Sequence, residues 1–296
     1  MNNSPVLRVY LEGPMLTTAR DGSFNFLNIL KSAVEGAGWR VEWCALGDAR
    51  SAEPGYALYH AAAPLDPDTL SFRKAYHYPF WQIEPVQQRW RFDVAQSNFD
   101  PDRIDPDLAR DFTRQLRERV LPGPPPRKDQ TILVPLQGQI RRCRSFQTMS
   151  PIDMVEAVAR LGRPLTVTLH PSRDYDLGDM DALQSLLRRY PHMKFAPHSA
   201  PVLRDCAFVA TQNSAVAFDG YLLGKPAVLF AQIDFHHIGL NVAELGDREA
   251  LEMAAAHAPD YDRYLYWFLQ EKAINASLPD AGDRILAAMR RGGWPI

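Results

Sequence analysis

TQNSAVAFDGYLLGKPAVLF (residues 211–230) reads as a strand end, a polar turn, a short helix and the start of another strand. The apolar runs on either side are short enough for buried strands. The GKP between them stops the helix, because glycine takes the left-handed turn and proline cannot carry the helix on. A strand–helix–strand unit of this size predicts a parallel sheet with a crossover helix. The helix opens on Gln212, Asn213 and Ser214. Asn or Ser in that place caps a helix by accepting a backbone N–H. A helix start after a parallel strand is also where free N–H groups and the dipole favour a phosphate. These residues alone leave both readings open.

The same alternation extends upstream. TILVPLQ (131–137), PLTVTLHP (164–171), MKFAP (193–197) and CAFVATQ (206–212) read as strands, and SPIDMVEAVARLG (150–162) and DMDALQSLLRRYP (179–191) as helices. Strands and helices in turn predict a doubly wound, mostly parallel sheet. Two late helices are expected around 248–257 and 261–275, then a last one ending at RRGGWPI (290–296). The first half opens as a βαβ unit: strand VLRVYLEG (6–13), loop PMLTTARDGS (14–23), helix FNFLNILKSAVEGAG (24–38), and strands WRVEWCAL (39–46) and YALYHAA (56–62). In that helix Phe26, Leu27, Leu30, Ala33 and Val34 share one face. Residues 71–90 are aromatic-rich without a clear period, and Phe80, Trp81 and Trp90 are expected in the core. A helix capped by Asp105 or Asp107 runs to about residue 120, where LPGPPPRKD (121–129) interrupts regular structure. The domain boundary is placed there, giving a reduced N-terminal α/β domain over 1–124 and a Rossmann-like domain over 125–296.

The 296 residues are 46% hydrophobic with a formal net charge of -2. That length suits two domains, and the charge leaves no global basic field for nucleic acid. Three dispersed cysteines, Cys44, Cys143 and Cys206, make no disulfide framework or metal-ligand spacing and fit a reducing, cytoplasmic setting. The opening MNNSPVLRVYLEGP has no basic segment before an apolar run, so no signal peptide is expected. The histidines of QIDFHHIGLN (232–241) are adjacent, so on an extended chain they point to opposite faces. One is expected to line the cleft and the other to pack, with no metal.

Ligands of open parallel sheets bind outside the carboxyl strand ends, and polar residues collect there: Gln137, His170 with Pro171, and Gln212, Asn213 and Ser214. VPLQ, then HP closing a strand, then QNSAVAFDGYLLGKPAV resembles the nucleotide-binding half of bacterial capsular polysaccharide glycosyltransferases of the GT-B type, which include Kdo transferases. The likeness covers about 131–241. It implies two Rossmann-like α/β domains and a nucleotide-sugar donor, often CMP-linked, whose phosphate is held by His170, Pro171, Asn213 and Ser214, with Gln137 at the cleft. Arg173 and Lys225 are candidate added cations. The family's helix glutamate is replaced here by Asp219, one methylene shorter. No metal or other cofactor is expected.

Transfer needs the departing phosphate stabilised and, for inversion, a base for the acceptor hydroxyl. His170 answers the first need. Glu12 and Asp21, flanking the loop after the first strand, are the candidates for the second. The implied partners are a nucleotide-sugar donor and a polysaccharide or glycolipid acceptor, with peripheral association with a membrane export complex left open. The rivals are a pyruvyl or phosphoryl transferase on a related fold, and a non-catalytic subunit of a polysaccharide assembly complex.

Overall fold

The computed structural model describes residues 4–51 and 55–296. In chain order the first elements are β1 (Val6–Leu11), α1 (Gly13–Arg20), α2 (Asn25–Gly36), β2 (Arg40–Ala45), β3 (Tyr56–His60), β4 (Thr69–Lys74), β5 (Phe80–Glu84) and α3 (Asp93–Gln96). The middle of the chain holds α4 (Pro106–Val120), β6 (Ile132–Pro135), α5 (Pro151–Ala159), β7 (Leu165–Thr168), α6 (Leu177–Arg189), β8 (Met193–Ala196) and α7 (Ser199–Asp205). It continues with β9 (Phe208–Thr211), α8 (Ala215–Leu222), β10 (Ala227–Leu229), β11 (Leu240–Asn241), α9 (Val242–Leu245), α10 (Asp247–Met253) and α11 (Tyr261–Tyr266). A π-helical turn (Trp267–Lys272), β12 (Ile274–Asn275) and α12 (Ala281–Arg291) end it. Among the described residues no helix is long and apolar enough to cross a membrane.

These elements form two units, Met1–Ser97 joined by Trp267–Ile296, and Asn98–Tyr266. The expected boundary at 121–129 therefore lies inside the second unit. The physical reason is a set of clamps on the proline run. The Arg204 guanidinium donates to Leu121 O at 2.9 Å, to Pro122 O at 3.1 Å and to Pro124 O. Helix α4, capped by the Asp105 carboxylate through the N–H groups of Asp107 and Leu108, packs on α8 and α11 of the same unit. The C-terminal residues return to the first unit because α12 lays Ile285, Ala288 and Met289 into the core built by β1 and α2.

The first unit is a six-stranded sheet in the order β12-β5-β4-β3-β1-β2, with β5 and β12 antiparallel to their neighbours and the other pairings parallel. Alternation along its strands explains the asymmetry of its cover. Leu7, Val9, Leu11, Leu58, Leu70 and Phe72 share one core with Leu16 and Ala19 of α1, Leu27 and Leu30 of α2, and α12. On the other face Tyr10 and Tyr59 stack at 4.9 Å and pack with Ala57, Leu46, Ala49 and Ala62. The strand number is thus equal to that of the second sheet, and among the described residues the helices α1, α2 and α12 all serve one face. Helix α1 stands where a loop was expected; it begins with Pro14 in its first turn and is held by the burial of Leu16 and Ala19.

The second unit is all parallel, in the order β11-β10-β9-β6-β7-β8. ILVP, LTVT and FVAT are buried at every position, as strands covered on both faces must be. The chain leaves β6 toward β7 and β8, then crosses to β9, β10 and β11 on its other side. The topological switch point therefore lies between β6 and β9, the place where open α/β sheets receive ligands.

All three cysteines are free thiols, and Cys206 is fully buried. Burial pushes its thiol up to about 12, from an ordinary value of 9.0, which lowers its thiolate fraction roughly a thousandfold. Exposed Cys143 is expected to react with an aromatic disulfide reagent at the rate of a free thiol, and Cys206 only after denaturant is added. Mass-spectrometric timing of the two labels checks this, and early labelling of Cys206 would contradict its packing.

Candidate functional site

The switch point is built by direct bonds between its two strand ends. The Thr211 hydroxyl donates to Pro135 O at 3.1 Å, joining the ends of β9 and β6. One residue on, the buried Gln212 side-chain amide donates to Met149 O at 3.1 Å, which ties down the loop that follows β6. The loop is also bonded to the end of β10: Thr148 N–H donates to Phe230 O and Gln232 N–H to Phe146 O. Gln137 is half-buried at the start of this loop, and Gln139, at a φ of 61°, turns it.

The helix start behaves as a cap. Ser214, 7% exposed, accepts the Val216 N–H on its hydroxyl at 3.3 Å, in extended backbone geometry. Asn213 beside it is half-buried. The remaining first-turn N–H groups and the helix dipole face outward past the carboxyl end of β9, as at any parallel strand–helix junction. Asp219 lies half-buried on the same helix.

His170 follows β7, on the other side of β6. Its Nδ1 accepts the Ser172 N–H at 3.1 Å, so the neutral ring carries its proton on Nε2 and can donate from there. Its own N–H donates to the Tyr175 hydroxyl at 2.9 Å, and its carbonyl accepts the Arg173 N–H. Pro171 and Arg173 are exposed in this turn. Arg173 also touches the loop after β6, since a Cβ on Gly138 would lie 3.3 Å from its Cβ. Gln137, His170, Pro171, Arg173, Gln212, Asn213 and Ser214 thus all belong to the carboxyl edges of β7, β6 and β9.

Lys225 does not belong there. It precedes β10, at the amino edge of the sheet, and is 3% exposed. Its ammonium donates to Cys206 O at 2.8 Å and to Arg127 O. The physical reason is the length of α8: eight residues carry the chain about 12 Å from one edge of the sheet to the other. The paired histidines stack on each other at 4.2 Å, His236 Nδ1 against Ile233 O and His237 Nδ1 against the Tyr264 hydroxyl. Among the described residues no group of three or more His, Cys, Asp or Glu is placed to hold a metal ion.

In the first unit Glu12 is exposed directly after β1 and makes no capping bond to α1. Asp21 is displaced from that strand end because the expected loop is helix α1. It closes the far end of α1 and accepts the Ser23 N–H at 2.9 Å, and bonding to Ser23 holds its carboxyl below the usual range. A residue not anticipated from the sequence stands nearer to Glu12. His60 ends β3, parallel to β1, and its Nδ1 is buried with no hydrogen-bond partner. Burial pushes its imidazole down, partly opposed by the Glu12 carboxylate and reinforced by Arg73 and Lys74. The signal was present in YALYH, a polar residue closing an apolar strand, the pattern that picks out His170.

No protein-family model matches the chain, and no curated protein matches it either. Among solved structures, the KpsC β-Kdo 2,7 transferase of Thermosulfurimonas dismutans superposes with a TM-score of 0.54 at 13% identity, covering 96% of this chain and 99% of that one. The KpsC β-Kdo 2,4 transferase of the same organism gives a TM-score of 0.42 at 13% identity over 84% and 89%. The UDP-GlcNAc 2-epimerase of Methanocaldococcus jannaschii gives 0.37 at 9% identity over 97% and 99%. The likeness that carries weight is the first, and it is one of fold: the chain has a GT-B-like α/β architecture of two Rossmann-like units.

Proposed function

We propose that this protein is a glycosyltransferase that moves a sugar from a nucleotide-activated donor to a surface polysaccharide or glycolipid, with a CMP-linked acidic sugar such as Kdo as the favoured donor. The observation that supports it is that His170, whose Nδ1 accepts a backbone N–H and leaves Nε2 as the ring's donor, lies on the same carboxyl edge of an all-parallel sheet as Gln137 and the Ser214-capped helix start. In that role Nε2–H and the first-turn N–H groups of α8 bind the donor phosphate and stabilise the charge it gains as the glycosidic C–O bond breaks. Asp219 is the candidate partner for the donor ribose. Glu12 is the candidate base that takes the acceptor proton, and His60 behind it is a positioning residue. No metal is required in this scheme, because N–H dipoles and the histidine supply the compensation.

The test is a calorimetric titration with CMP, CDP, UDP, GDP and ADP on the parent protein and on Ser214→Ala and His170→Ala. One nucleotide is expected to bind saturably, with each variant weakening it about tenfold or more, the worth of a hydrogen bond to a charged group. A parent protein that binds none of the five overturns the reading and moves the non-catalytic subunit ahead.

A further inference from the structure

Beside the helix start, the carboxyl edge of the second sheet holds guanidinium groups that no carboxylate neutralises. Arg141 provides the contrast, since it pairs with Asp176 at 2.7 Å and Asp179 at 2.8 Å. Its neighbours Arg142 and Arg144, and Arg173 from the turn after β7, form no ion pair among the described residues. Arg144 is the most constrained of the three. Its guanidinium lies over the Phe146 ring at 4.7 Å, and its Nε and Nη2 are buried with no hydrogen-bond partner. The turn around it is built, because Gln147 Oε1 accepts the Arg144 N–H at 2.8 Å. Gln147 is 9% exposed, and its Nε2 is a second buried donor with no acceptor.

Burial, together with the charges of Arg173 and Arg142, pushes the Arg144 guanidinium down. Arginine nevertheless keeps its charge at any working pH. A part-buried, charged fork with unmade bonds carries a free-energy cost that an oxyanion would remove by supplying acceptors in matching geometry. The loop 144–149 is tied to β9 and β10 through Met149, Thr148 and Phe146, and Arg173 sits three residues beyond His170. The cluster therefore borders the donor-phosphate region, which it meets at Arg173.

We propose that Arg144, with Arg142 and Arg173, forms an oxyanion subsite that takes a second anionic group of the ligand held at the α8 start. That group is the β-phosphate of a nucleoside diphosphate or the carboxylate of an acidic sugar, both of which suit a guanidinium fork. The identity of the ligand rests on the transferase reading, whereas the anion affinity of the cluster does not.

The experiment titrates the full chain with CMP, CDP, UMP, UDP and inorganic pyrophosphate, and with a free 2-keto sugar acid in the presence of saturating CMP. The expected result is an increment of about tenfold or more in affinity, either of a diphosphate over its monophosphate or of the sugar acid over no binding. In Arg144→Gln that increment is lost while monophosphate affinity is little changed. In Arg173→Gln the increment is lost together with any share Arg173 has in monophosphate binding, and the arm that responds identifies the group. Arg144→Lys keeps charge without the fork and is expected to fall between, which controls for misfolding. Pyrophosphate binding that depends on these arginines, in a protein that binds no nucleotide, would keep the subsite and remove the transferase reading. Increments that survive both glutamine variants, or a parent protein with no increment for any anion, would overturn the subsite itself.

Discussion

Lys225→Ala is expected to lower the unfolding free energy by about 3–5 kcal/mol, because hydrogen bonds to a charged group contribute about 1.5–3 kcal/mol each and two carbonyls lose their donor. The side chain runs through the interior to bond Cys206 O, just before β9, and Arg127 O, at the end of the proline run. Its loss removes the tie at Arg127 O while the Arg204 bonds to Leu121, Pro122 and Pro124 remain, and it leaves both acceptors without the ammonium. Lys225→Met keeps the stem and volume, so it isolates the ammonium and is expected to cost less than the alanine change. Denaturant midpoints of the two variants measure the difference. The same pair of proteins separates a structural role from a donor-binding one. A lysine at the amino edge of the sheet leaves nucleotide affinity unchanged when it is replaced, so a large loss of affinity in a folded Lys225→Met protein would contradict its placement. Burial holds the ammonium below the usual lysine range. The unfolded chain therefore binds more protons than the folded one between the lowered value and 10.5. This lysine's contribution to stability rises as pH climbs through that window, a slope that Lys225→Met is expected to lack.

Trp81→Ala is expected to cost about 3–5 kcal/mol, the usual loss for a large aromatic removed from a core. Trp81, 2% exposed on β5, stacks on Phe26 at 4.4 Å with the rings 13° from parallel. It also meets Phe24 edge-on at 5.7 Å and Phe72 at 6.0 Å. One residue thus joins α2 to the antiparallel edge of the first sheet. The indole Nε1 is buried without an acceptor, so part of the stabilisation from packing is already offset by an unmade hydrogen bond. Trp81→Phe removes that donor while keeping a ring, and its cost is expected to stay below about 1.5 kcal/mol. Thermal unfolding of the two variants tests this, and a Trp81→Phe loss equal to that of Trp81→Ala would show that the indole is bonded after all.

Much of the second unit was legible in the sequence because its signals are local. Four-residue apolar strands, Ser150 and Ser214 before their helices, Asp105 before α4 and the Gly224-Lys225-Pro226 stop all act within a few residues, and the structure places each as the pattern implies. The polar strand ends Gln137, His170 and Gln212 to Ser214 were visible for the same reason. Parallel strands with crossover helices bring their carboxyl ends to one edge, so order along the chain already specifies which residues meet.

Tertiary structure decided the rest, wherever the deciding partner is remote in sequence. Helix α1 has two weak helix formers, Thr17 and Thr18, and depends on burying Leu16 and Ala19. Strands β4 and β5 were not read from the sequence because polar Ser71, Gln82 and Glu84 are buried there beside Leu70, Phe72, Trp81 and Ile83, a burial that only the assembled sheet provides. The proline run suggested a linker, but Arg204 and Lys225 convert it into a surface of the second unit, and α12 returns to the first. Lys225 stands near Ser214 in sequence and at the opposite edge of the sheet in space, separated by the rise of one helix. Arg144 and Arg173 stand in different loops, and only the fold brings their charges close enough to act on each other. Local backbone chemistry is written residue by residue. Which charges share a space is settled by the closing of the sheet.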